Sequence, residues 1–478
     1  MLNVVAVRRL AGLVPILLLV ACGARSGPGP RGPAPDPNVL VPRLADPTAV
    51  YRQLGFLAKG QPLPFVASVH FLAGPVPDST LSLFGLSMTG GAVNYRRVGT
   101  LFEARYRVEA VFRRGTAIVG QLGSDQHVRV AAMAETRRAD ESVIFQHFVY
   151  LPPGELTVTV VVRDRNGLSS TRDDGLLRVP RFDASGPKIS SLIPIHQGTP
   201  RATRSVLPTV LANPRATSPQ GADTLSFYLE AYDVEPGTRL YVRARHTDSA
   251  VVWSDTVTIG PPEVAVAVGP DTVRPDIAAV MVRVAPPQLQ LGELRFDATL
   301  GGPDTARTMA LVTFSEQWAV TNLDDVLALL RYFGHEEEVN RIRAAAPQER
   351  SELWRAFWRG TDPDSMTPEN EAVAAYFRRL LVANLRFRDE SEAGWLTDRG
   401  EVYITVGEPD REERYDDLRT GRTVIRWTYF YGGETIVIYF INEISLNSFR
   451  LTFSSRVEYQ RLLTRVRRSG GQPGEAGA

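Results

Sequence analysis

Cysteine, histidine and lysine are scarce in this 478-residue chain, and each scarcity excludes a kind of chemistry. The single cysteine, Cys22, rules out an internal disulfide. The six histidines form no H-x-x-x-H or H-x-H pair, so zinc-hydrolase motifs lack their ligands. Lysine occurs only at Lys59 and Lys188, and no S-x-x-K, P-loop, dinucleotide-binding or nucleophile-elbow pattern is present. We therefore predict no catalytic residue, no metal site and no cofactor.

A surplus of charge is lacking too. Lysine and arginine together number 54 and the acidic residues 53, which gives a net charge of +1. A general nucleic-acid binder needs surplus positive charge to displace phosphate counterions, so we predict no nucleic-acid partner. The content of 44% hydrophobic and 22% charged residues is ordinary for a globular protein. At roughly 150 residues per domain, the length suggests about three domains.

The apolar segment Ala11–Val20 is shorter than the roughly 20 residues that a membrane-spanning helix needs. It follows Arg8 and Arg9, as the apolar part of a signal peptide follows a basic start. Small residues precede the cysteine in Leu19-Val20-Ala21-Cys22-Gly23, as lipoprotein signal peptidase requires. We predict a lipoprotein signal peptide over residues 1–21 and lipidation of Cys22. An ordinary signal peptide with a chance cysteine is the alternative.

The residue after Cys22 helps to predict whether the lipid anchor lies in the inner or the outer membrane. It is Gly23, whereas aspartate there would be the usual signal for retention in the inner membrane. We therefore expect anchoring in the cell envelope, at the outer membrane, facing the periplasm or the cell surface. Residues 22–48 are rich in glycine and proline, and we predict that they form a flexible tether.

Two blocks in the middle of the chain show the alternation of β-strands. In Phe102–Arg113, apolar or aromatic residues alternate mainly with charged ones, which predicts a strand with one buried face. Further on, Leu240, Val242 and Ala244 face one way, and Tyr241, Arg243 and Arg245 the other. With turn signals between the strands, the pattern predicts a β-sandwich-like domain over residues 49–183 and a second over 186–316.

Helical spacing begins near residue 320. We predict a helix around Leu323–Leu330, then helices over Glu336–Ala345 and Pro347–Arg359, and a fourth with Thr367 as its N-cap.

The period-two pattern returns after Gly394. Val402, Ile404 and Val406 alternate with polar residues and predict a strand. An aromatic strand over 425–431 leads through Gly432-Gly433 into a tight hairpin, and Phe449, Leu451 and Phe453 suggest a last strand. We predict a C-terminal α+β domain over 320–467, helices first and then a small antiparallel sheet, and a disordered tail over 468–478. The expected fold class is multidomain and mainly β.

Several motifs of this C-terminal block resemble the GWxTD-domain family. They are Gly394-Trp395-Leu396-Thr397-Asp398-Arg399-Gly400, then Gly407-Glu408-Pro409-Asp410, with Phe357-Trp358, Asp362-Pro363 and Thr367-Pro368-Glu369-Asn370-Glu371 upstream. Members are typically exported bacterial proteins with β-rich segments ahead of this domain, and the layout here is similar. The resemblance implies no established reaction, substrate or catalytic residue.

The motif allows a structural and a functional interpretation. In the structural interpretation, Trp395 packs in the core, and Thr397 and Asp398 hydrogen-bond the backbone of a turn. Gly400 and Gly407 then occupy positions where the backbone is crowded or has an unusual conformation. The functional one arranges part of the motif around a binding pocket. The residues that we single out for binding or structure are Trp395, Thr397, Asp398, Arg399, Gly400, Tyr403, Gly407 and Asp410.

Three functions fit this sequence. The first is a non-catalytic envelope lipoprotein that binds or scaffolds a protein or glycan partner and meets the membrane through its lipid. The second is a hydrolase of envelope glycan or peptide, which would use two carboxylates of the C-terminal domain, such as two of Asp362, Asp364, Glu369 and Glu371. The third is an accessory factor in secretion or outer-membrane assembly, which rests on architecture alone.

Overall fold

The computed structural model describes most of the chain after residue 45. The described residues are 40–41, 46–133, 135–137, 142–182, 186–219, 224–246, 251–261, 266–268, 271–273, 275–285, 291–313, 322–366, 370–389, 392–442 and 448–468. The predicted signal peptide, Cys22, most of the predicted tether and residues 469–478 lie outside these ranges. Among the described helices, none is both long and apolar enough to cross a membrane.

The first β-sandwich follows a short helix, α1 (Pro47–Gln53), which Asp46 caps by accepting from the Thr48 N–H at 3.1 Å. One sheet has the strand order β1-β2-β3-β7, and the other has β4-β5-β8-β9 with β6 also paired to β5. Their facing side chains form one core. The strands are β1 (Leu57–Lys59), β2 (Phe65–Ala73), β3 (Thr80–Thr89), β4 (Tyr95–Val98), β5 (Leu101–Arg114), β6 (Ala117–Val130), β7 (Ser142–Leu151), β8 (Gly154–Asp164) and β9 (Ser170–Val179).

A second sandwich follows, with strands β10 (Lys188–Ile189), β11 (Ile193–Thr199), β12 (Thr209–Ala212), β13 (Thr217–Pro219), β14 (Leu225–Tyr232), β15 (Thr238–His246), β16 (Val251–Ile259), β17 (Val266–Val268), β18 (Asp271–Val273), β19 (Ile277–Val284), β20 (Gly292–Thr299) and β21 (Thr305–Thr313). One sheet has the order β10-β14-β11-β12, with β19 beside β14, and the other β13-β21-β20-β15-β16. The strands β17 and β18 form a separate ribbon. The β13–β21 pair is parallel, whereas the other described pairs are antiparallel.

The two sandwiches share a buried interface. Leu81 and Leu83 of β3 pack in one apolar cluster with Ile193, Ile195 and Tyr228 of the second sandwich. This contact explains why β3 is buried on both faces, although strands usually alternate. Residues 35–478 accordingly form one compact unit, and the domain boundaries inferred from the sequence stay predictions.

The C-terminal region packs helices against a four-stranded antiparallel sheet of order β22-β23-β24-β25. A single core joins helices and sheet, with Phe377, Trp427 and Leu462 at its centre. The elements are α2 (Leu323–Leu329), α3 (Glu336–Ala344), α4 (Pro347–Thr361), α5 (Glu371–Arg386), α6 (Asp398–Val406), β22 (Arg411–Asp417), β23 (Arg422–Tyr431), β24 (Glu434–Asn442), β25 (Phe449–Leu451) and α7 (Phe453–Arg468). The predicted fold class, mainly β with a C-terminal α+β region, is confirmed.

The predicted hairpin at Gly432-Gly433 is also confirmed. Tyr431 pairs with Glu434, so the loop has two residues. Gly432 and Gly433 have φ angles of 57° and 77°, which a two-residue hairpin turn of this type requires and glycine adopts without strain.

The predicted strand through Val402, Ile404 and Val406 is wrong, because these residues belong to helix α6. Every residue from Val402 to Val406 is buried. A helix that is apolar all round shows no helical stripe, and its β-branched residues then imitate a strand.

Two other boundaries differ from expectation. The last strand ends at Leu451, and Phe453 begins α7 instead of continuing the strand. The N-cap of α5 is Asn370, whose side chain accepts from the Val373 N–H at 3.0 Å, and the predicted cap Thr367 lies outside the described residues. The fourth helix therefore begins about one turn later than the sequence pattern suggests.

Candidate functional site

The GWxTD-like segment builds the start of α6. Gly394–Leu396 form a short 3-10 turn, and Thr397 is the N-cap of the helix. The Thr397 hydroxyl donates to the Gly394 carbonyl at 2.8 Å and accepts from the Gly400 N–H at 3.1 Å. Both hydrogen-bonding roles of this side chain are therefore used within the motif.

The two glycines of the segment allow backbones to approach closely. A Cβ atom on Gly400 would lie 2.1 Å from the Gly394 carbonyl oxygen, and one on Gly394 would lie 2.5 Å from the Ala383 carbonyl oxygen. Both distances are shorter than any real carbon–oxygen contact. Glycine is thus required where the end of α5, the 3-10 turn and α6 meet.

The two aspartates of the motif, Asp398 and Asp410, bind backbone amides. Asp398 accepts from the Leu451 N–H at 2.7 Å and pairs with Arg456 at 2.9 Å. Asp410 accepts from the Phe430 N–H at 2.7 Å. Asp398 thereby fixes α6 to β25 and α7, and Asp410 fixes the loop after α6 to β23.

The aromatic residues of the motif lie in the core. Trp395 is only 1% exposed, and its ring meets that of Tyr332 edge-on, with the ring centroids 6.1 Å apart. Tyr403 is also buried and packs edge-on against Phe387. Trp427 is fully buried as well, so none of these three rings offers a face to a ligand.

Gly407 and Arg399 complete the predicted set. Gly407 ends α6 with a φ of 100°, a conformation that favours glycine, and its carbonyl accepts from the Tyr429 hydroxyl at 3.1 Å. The Arg399 guanidinium lies over the rings of Phe387 and Phe449. The structure therefore gives every predicted motif residue except Arg399 a role in packing or in binding the backbone, with Asp398 partly buried and Asp410 exposed.

Among the acids considered for hydrolysis, Asp362 binds a backbone amide. Its carboxylate accepts from the Asp364 N–H at 3.1 Å. Burial raises the pKa of Asp362, and the nearby charge of Glu371 raises it further.

Sequence reasoning did not find a large cleft that lies between the two sandwiches. The inter-sandwich cleft has a volume of about 1050 Å³. One wall is formed by Arg52–Leu57, Ala67–Val69 and Asp173–Leu177, and the other by residues of β15, β20 and β21. Because its walls come from segments far apart in sequence, only the arginines alternating along β15 hinted at an exposed charged face.

Charges of both signs line the inter-sandwich cleft in equal number. They are Arg52, Arg245, Arg295 and Arg307, with Asp173, Asp174, Glu293 and Asp297. Asp297 lies between two of the arginines, 3.7 Å from Arg245 and 3.3 Å from Arg307. Burial raises the pKa of Asp173, so this wall is partly shielded from water.

One polar atom of the cleft is unsatisfied. His246 Nε2 is buried and has no hydrogen-bond partner in the part of the chain that the structure describes. Buried polar atoms in native proteins nearly always have a partner, so an orphan in a cleft wall is a place where a ligand could bind. No group of three or more potential metal ligands is gathered within the described ranges.

Comparison with known families identifies the C-terminal region. The family model of the GWxTD domain matches residues 301–464. This part of the chain is a GWxTD domain. The match begins at the turn before β21, earlier than the motifs alone suggested, and it contains the C-terminal helices and sheet up to the last turn of α7.

Other comparisons add little. No curated protein matches the chain. Two solved crystal forms of a bacterial adhesin from Mobiluncus mulieris, which contains intramolecular disulfide, isopeptide and ester bond cross-links, are similar at 8% identity. Each match covers 48% of this chain and 79% of that chain, with a TM-score of 0.12, which does not indicate a shared fold.

Proposed function

We propose that this protein is a non-catalytic, lipid-anchored envelope protein that binds a partner in the inter-sandwich cleft. The observation that carries the proposal is the open cleft of about 1050 Å³, lined by eight charged side chains. Ligand sites are typically clefts of about 300–1,000 Å³ and often lie where domains meet. The orphan Nε2 of His246 adds a hydrogen-bonding group that a ligand would satisfy.

The charges of the cleft favour a protein segment as the ligand. On the wall of β15, β20 and β21, Asp297 lies opposite Arg307 and 3.7 Å from Arg245. A polypeptide carries both signs of charge and can complement such a pattern, whereas a neutral glycan cannot form the ion pairs. An envelope protein with an extended, charged segment is therefore the partner class that we propose.

The GWxTD domain has a supporting role in this proposal. The polar groups of Thr397, Asp398 and Asp410 are occupied by backbone amides or neighbouring side chains. The domain would hold the sandwiches in place and present them to the partner, while lipid on Cys22 would keep the protein at the outer membrane.

Photo-crosslinking in the native host tests the cleft. A benzophenone amino acid replaces Leu176, which lines the cleft and is 84% exposed. The matched control carries it at Leu168, which is fully exposed in the turn before β9 and does not line the cleft. We expect a protein adduct at Leu176 only, identified by mass spectrometry of the crosslinked peptide.

Charge reversal then separates the cleft from the surrounding surface. Arg307→Glu changes a cleft residue, and Arg239→Glu changes an exposed arginine elsewhere on the same sheet. We expect Arg307→Glu to abolish the Leu176 adduct and Arg239→Glu to leave it. Equal adducts at Leu176 and Leu168, or no adduct at Leu176, would overturn the proposal. A carbohydrate adduct at Leu176 would contradict a protein partner and identify a glycan instead.

A further inference from the structure

Arg399 occupies an unusual place for a positively charged side chain. It is half-buried, and its guanidinium carbon lies 4.7 Å from the ring centroid of Phe449 and 5.3 Å from that of Phe387. Both rings are buried, so the guanidinium rests in an apolar recess at the edge of the GWxTD domain core. Contact with ring faces attracts a cation, but each such contact contributes only about 0.5–2 kcal/mol.

No carboxylate of the described residues forms an ion pair with Arg399. Throughout the described ranges the side chain forms no ion pair, and its buried Nε has no hydrogen-bond partner. The acids that act on it, Glu412 and Asp389, do so without an ion pair. Glu412 lies 3.6 Å from Arg386, and Asp389 accepts from the Glu392 N–H at 2.6 Å. Among the described residues, this half-buried arginine therefore has no direct carboxylate partner.

Several effects oppose a cation at this position. Burial lowers the pKa of Arg399, and the positive charges of Arg414 and Arg386 lower it further, while the charges of Glu412 and Asp389 offset only part of this effect. Arg399 also lies in the first turn of α6, where the helix dipole is positive and disfavours a cation. Charged groups that accumulate such costs without a partner are found mostly at functional sites.

Arg414 brings a second positive charge to the same ring. It is exposed on β22, and its guanidinium carbon lies 5.5 Å from the Phe449 centroid. Like Arg399, it has no ion pair within the described part of the chain. Arg386 also lies nearby, but Glu408 neutralises it at 2.6 Å.

We propose that Arg399 and Arg414 form a binding site for a phosphate monoester beside the ring of Phe449. Two unpaired guanidinium groups match the charge of about −1.5 to −2 that a phosphate monoester carries at neutral pH, whereas a carboxylate carries only one negative charge. Guanidinium groups bind phosphate oxygens with pairs of charge-assisted hydrogen bonds. This site is separate from the inter-sandwich cleft and goes beyond the proposed function.

Titration calorimetry on the purified full chain tests the site with methyl phosphate as the probe. Arg399→Gln and Arg414→Gln should each weaken binding about tenfold or more, since each removes charge-assisted hydrogen bonds. The matched control is Arg411→Gln, which removes an exposed arginine from the opposite face of the same strand and should change the Kd less than about twofold. Acetate at equal ionic strength should bind at least about tenfold more weakly than methyl phosphate.

Thermal unfolding separates a binding role of Arg399 from a structural one. Without phosphate, Arg399→Gln should leave Tm unchanged or raise it, because the uncompensated charge is removed. With phosphate, wild type should gain stability and Arg399→Gln should not. A lower Tm for Arg399→Gln without phosphate, with phosphate still raising it, would overturn the proposal.

Vesicles identify the source of the phosphate. Binding to phosphatidic acid vesicles but not to phosphatidylglycerol vesicles, lost in Arg399→Gln, would assign the site to a lipid monoester headgroup. Binding of methyl phosphate without vesicle binding would assign it to a soluble phosphomonoester, and either result supports the site. Equal binding of acetate and methyl phosphate, or equal binding by Arg411→Gln and Arg414→Gln, would contradict it.

Discussion

Arg201 and Glu230 form a doubly hydrogen-bonded ion pair that is buried where the two sandwiches meet. Arg201 Nε donates to Glu230 Oε1 at 2.7 Å and Nη2 donates to Oε2 at 2.8 Å, with the side chains 1% and 0% exposed. Arg201 also donates to the Ala73 carbonyl of β2, and the hydroxyls of Tyr228 and Tyr232 donate to Glu230. The pair therefore ties the first sandwich to the second.

Replacing Glu230 by glutamine should destabilise the protein strongly. Burial alone would lower the pKa of Arg201, but the hydrogen bonds and charge of Glu230 outweigh that effect and raise it. Glu230→Gln would leave this buried cation unpaired, at a cost of about 3–5 kcal/mol. Urea unfolding of wild type and variant measures the difference.

An exposed ion pair provides the control for Glu230. Arg178 and Glu155 are 3.1 Å apart, and both side chains are largely exposed. Glu155→Gln should change the free energy of unfolding by less than about 1 kcal/mol, because water screens such pairs. Similar losses for Glu155→Gln and Glu230→Gln would show that the buried pair does not stabilise the junction.

Gly400→Ala tests whether the GWxTD motif is a folding element. The new Cβ would lie 2.1 Å from the Gly394 carbonyl oxygen, so α6 would have to shift, at a cost of about 3 kcal/mol or more. Gly360 is also helical but has open space around its Cβ position, and Gly360→Ala should stabilise α4 by about 0.5–1 kcal/mol. A Gly400→Ala variant as stable as wild type would refute the structural role.

The stability of the protein should fall on acidification through His70. Burial lowers the pKa of His70 from 6.5 to about 4. The folded protein then holds the neutral ring while the unfolded chain takes up a proton, so stability rises with pH across this window. The neutral ring of His70 contributes its full stabilisation above about pH 6.5. The free energy of unfolding then falls by about 1–3 kcal/mol as the pH is lowered towards 4. We expect a loss of this limited size because the side chain is only partly shielded from water.

Chemical unfolding at pH 7 and pH 4.5 measures the effect of His70. His70→Gln should flatten the dependence of stability on pH between these values. The control is His147→Gln, which changes an exposed histidine on β7 and should leave the wild-type slope. An unchanged slope in His70→Gln would assign the acid sensitivity to other groups.

Local sequence patterns predicted the sheets better than the C-terminal helices. The alternation through Phe102 and Tyr106 matches β5, and Gly432-Gly433 marks the β23–β24 hairpin, because both signals depend on neighbouring residues. Helix α6 escaped prediction because it is buried all round and rich in β-branched residues. The preference of these residues for a strand is outweighed by the Thr397 cap and by the close packing of Gly400 against Gly394, which favour the helix.

Helix α7, the inter-sandwich cleft and Arg399 differ in how well they can be predicted from the sequence. Helix α7 was predictable from the sequence, because its buried residues lie at helical spacing. They are Tyr459, Leu462, Leu463 and Val466. The inter-sandwich cleft has no such signal, since its walls are joined only by the packing of separate sheets. Arg399 could be singled out as a binding candidate from the sequence, because it lies in the motif. That it forms no ion pair among the described residues can be seen only in the structure.

Mass spectrometry of the intact protein from its native host tests the central claim, that the sandwiches act outside the cytoplasm on a lipid anchor. We predict an N-terminal peptide that begins at Cys22 and carries fatty acyl chains, and a Cys22→Ser variant that lacks them and leaves the membrane fraction. A native protein that retains residues 1–21, or that carries no acyl group on Cys22, would contradict the proposed anchor and its place in the envelope.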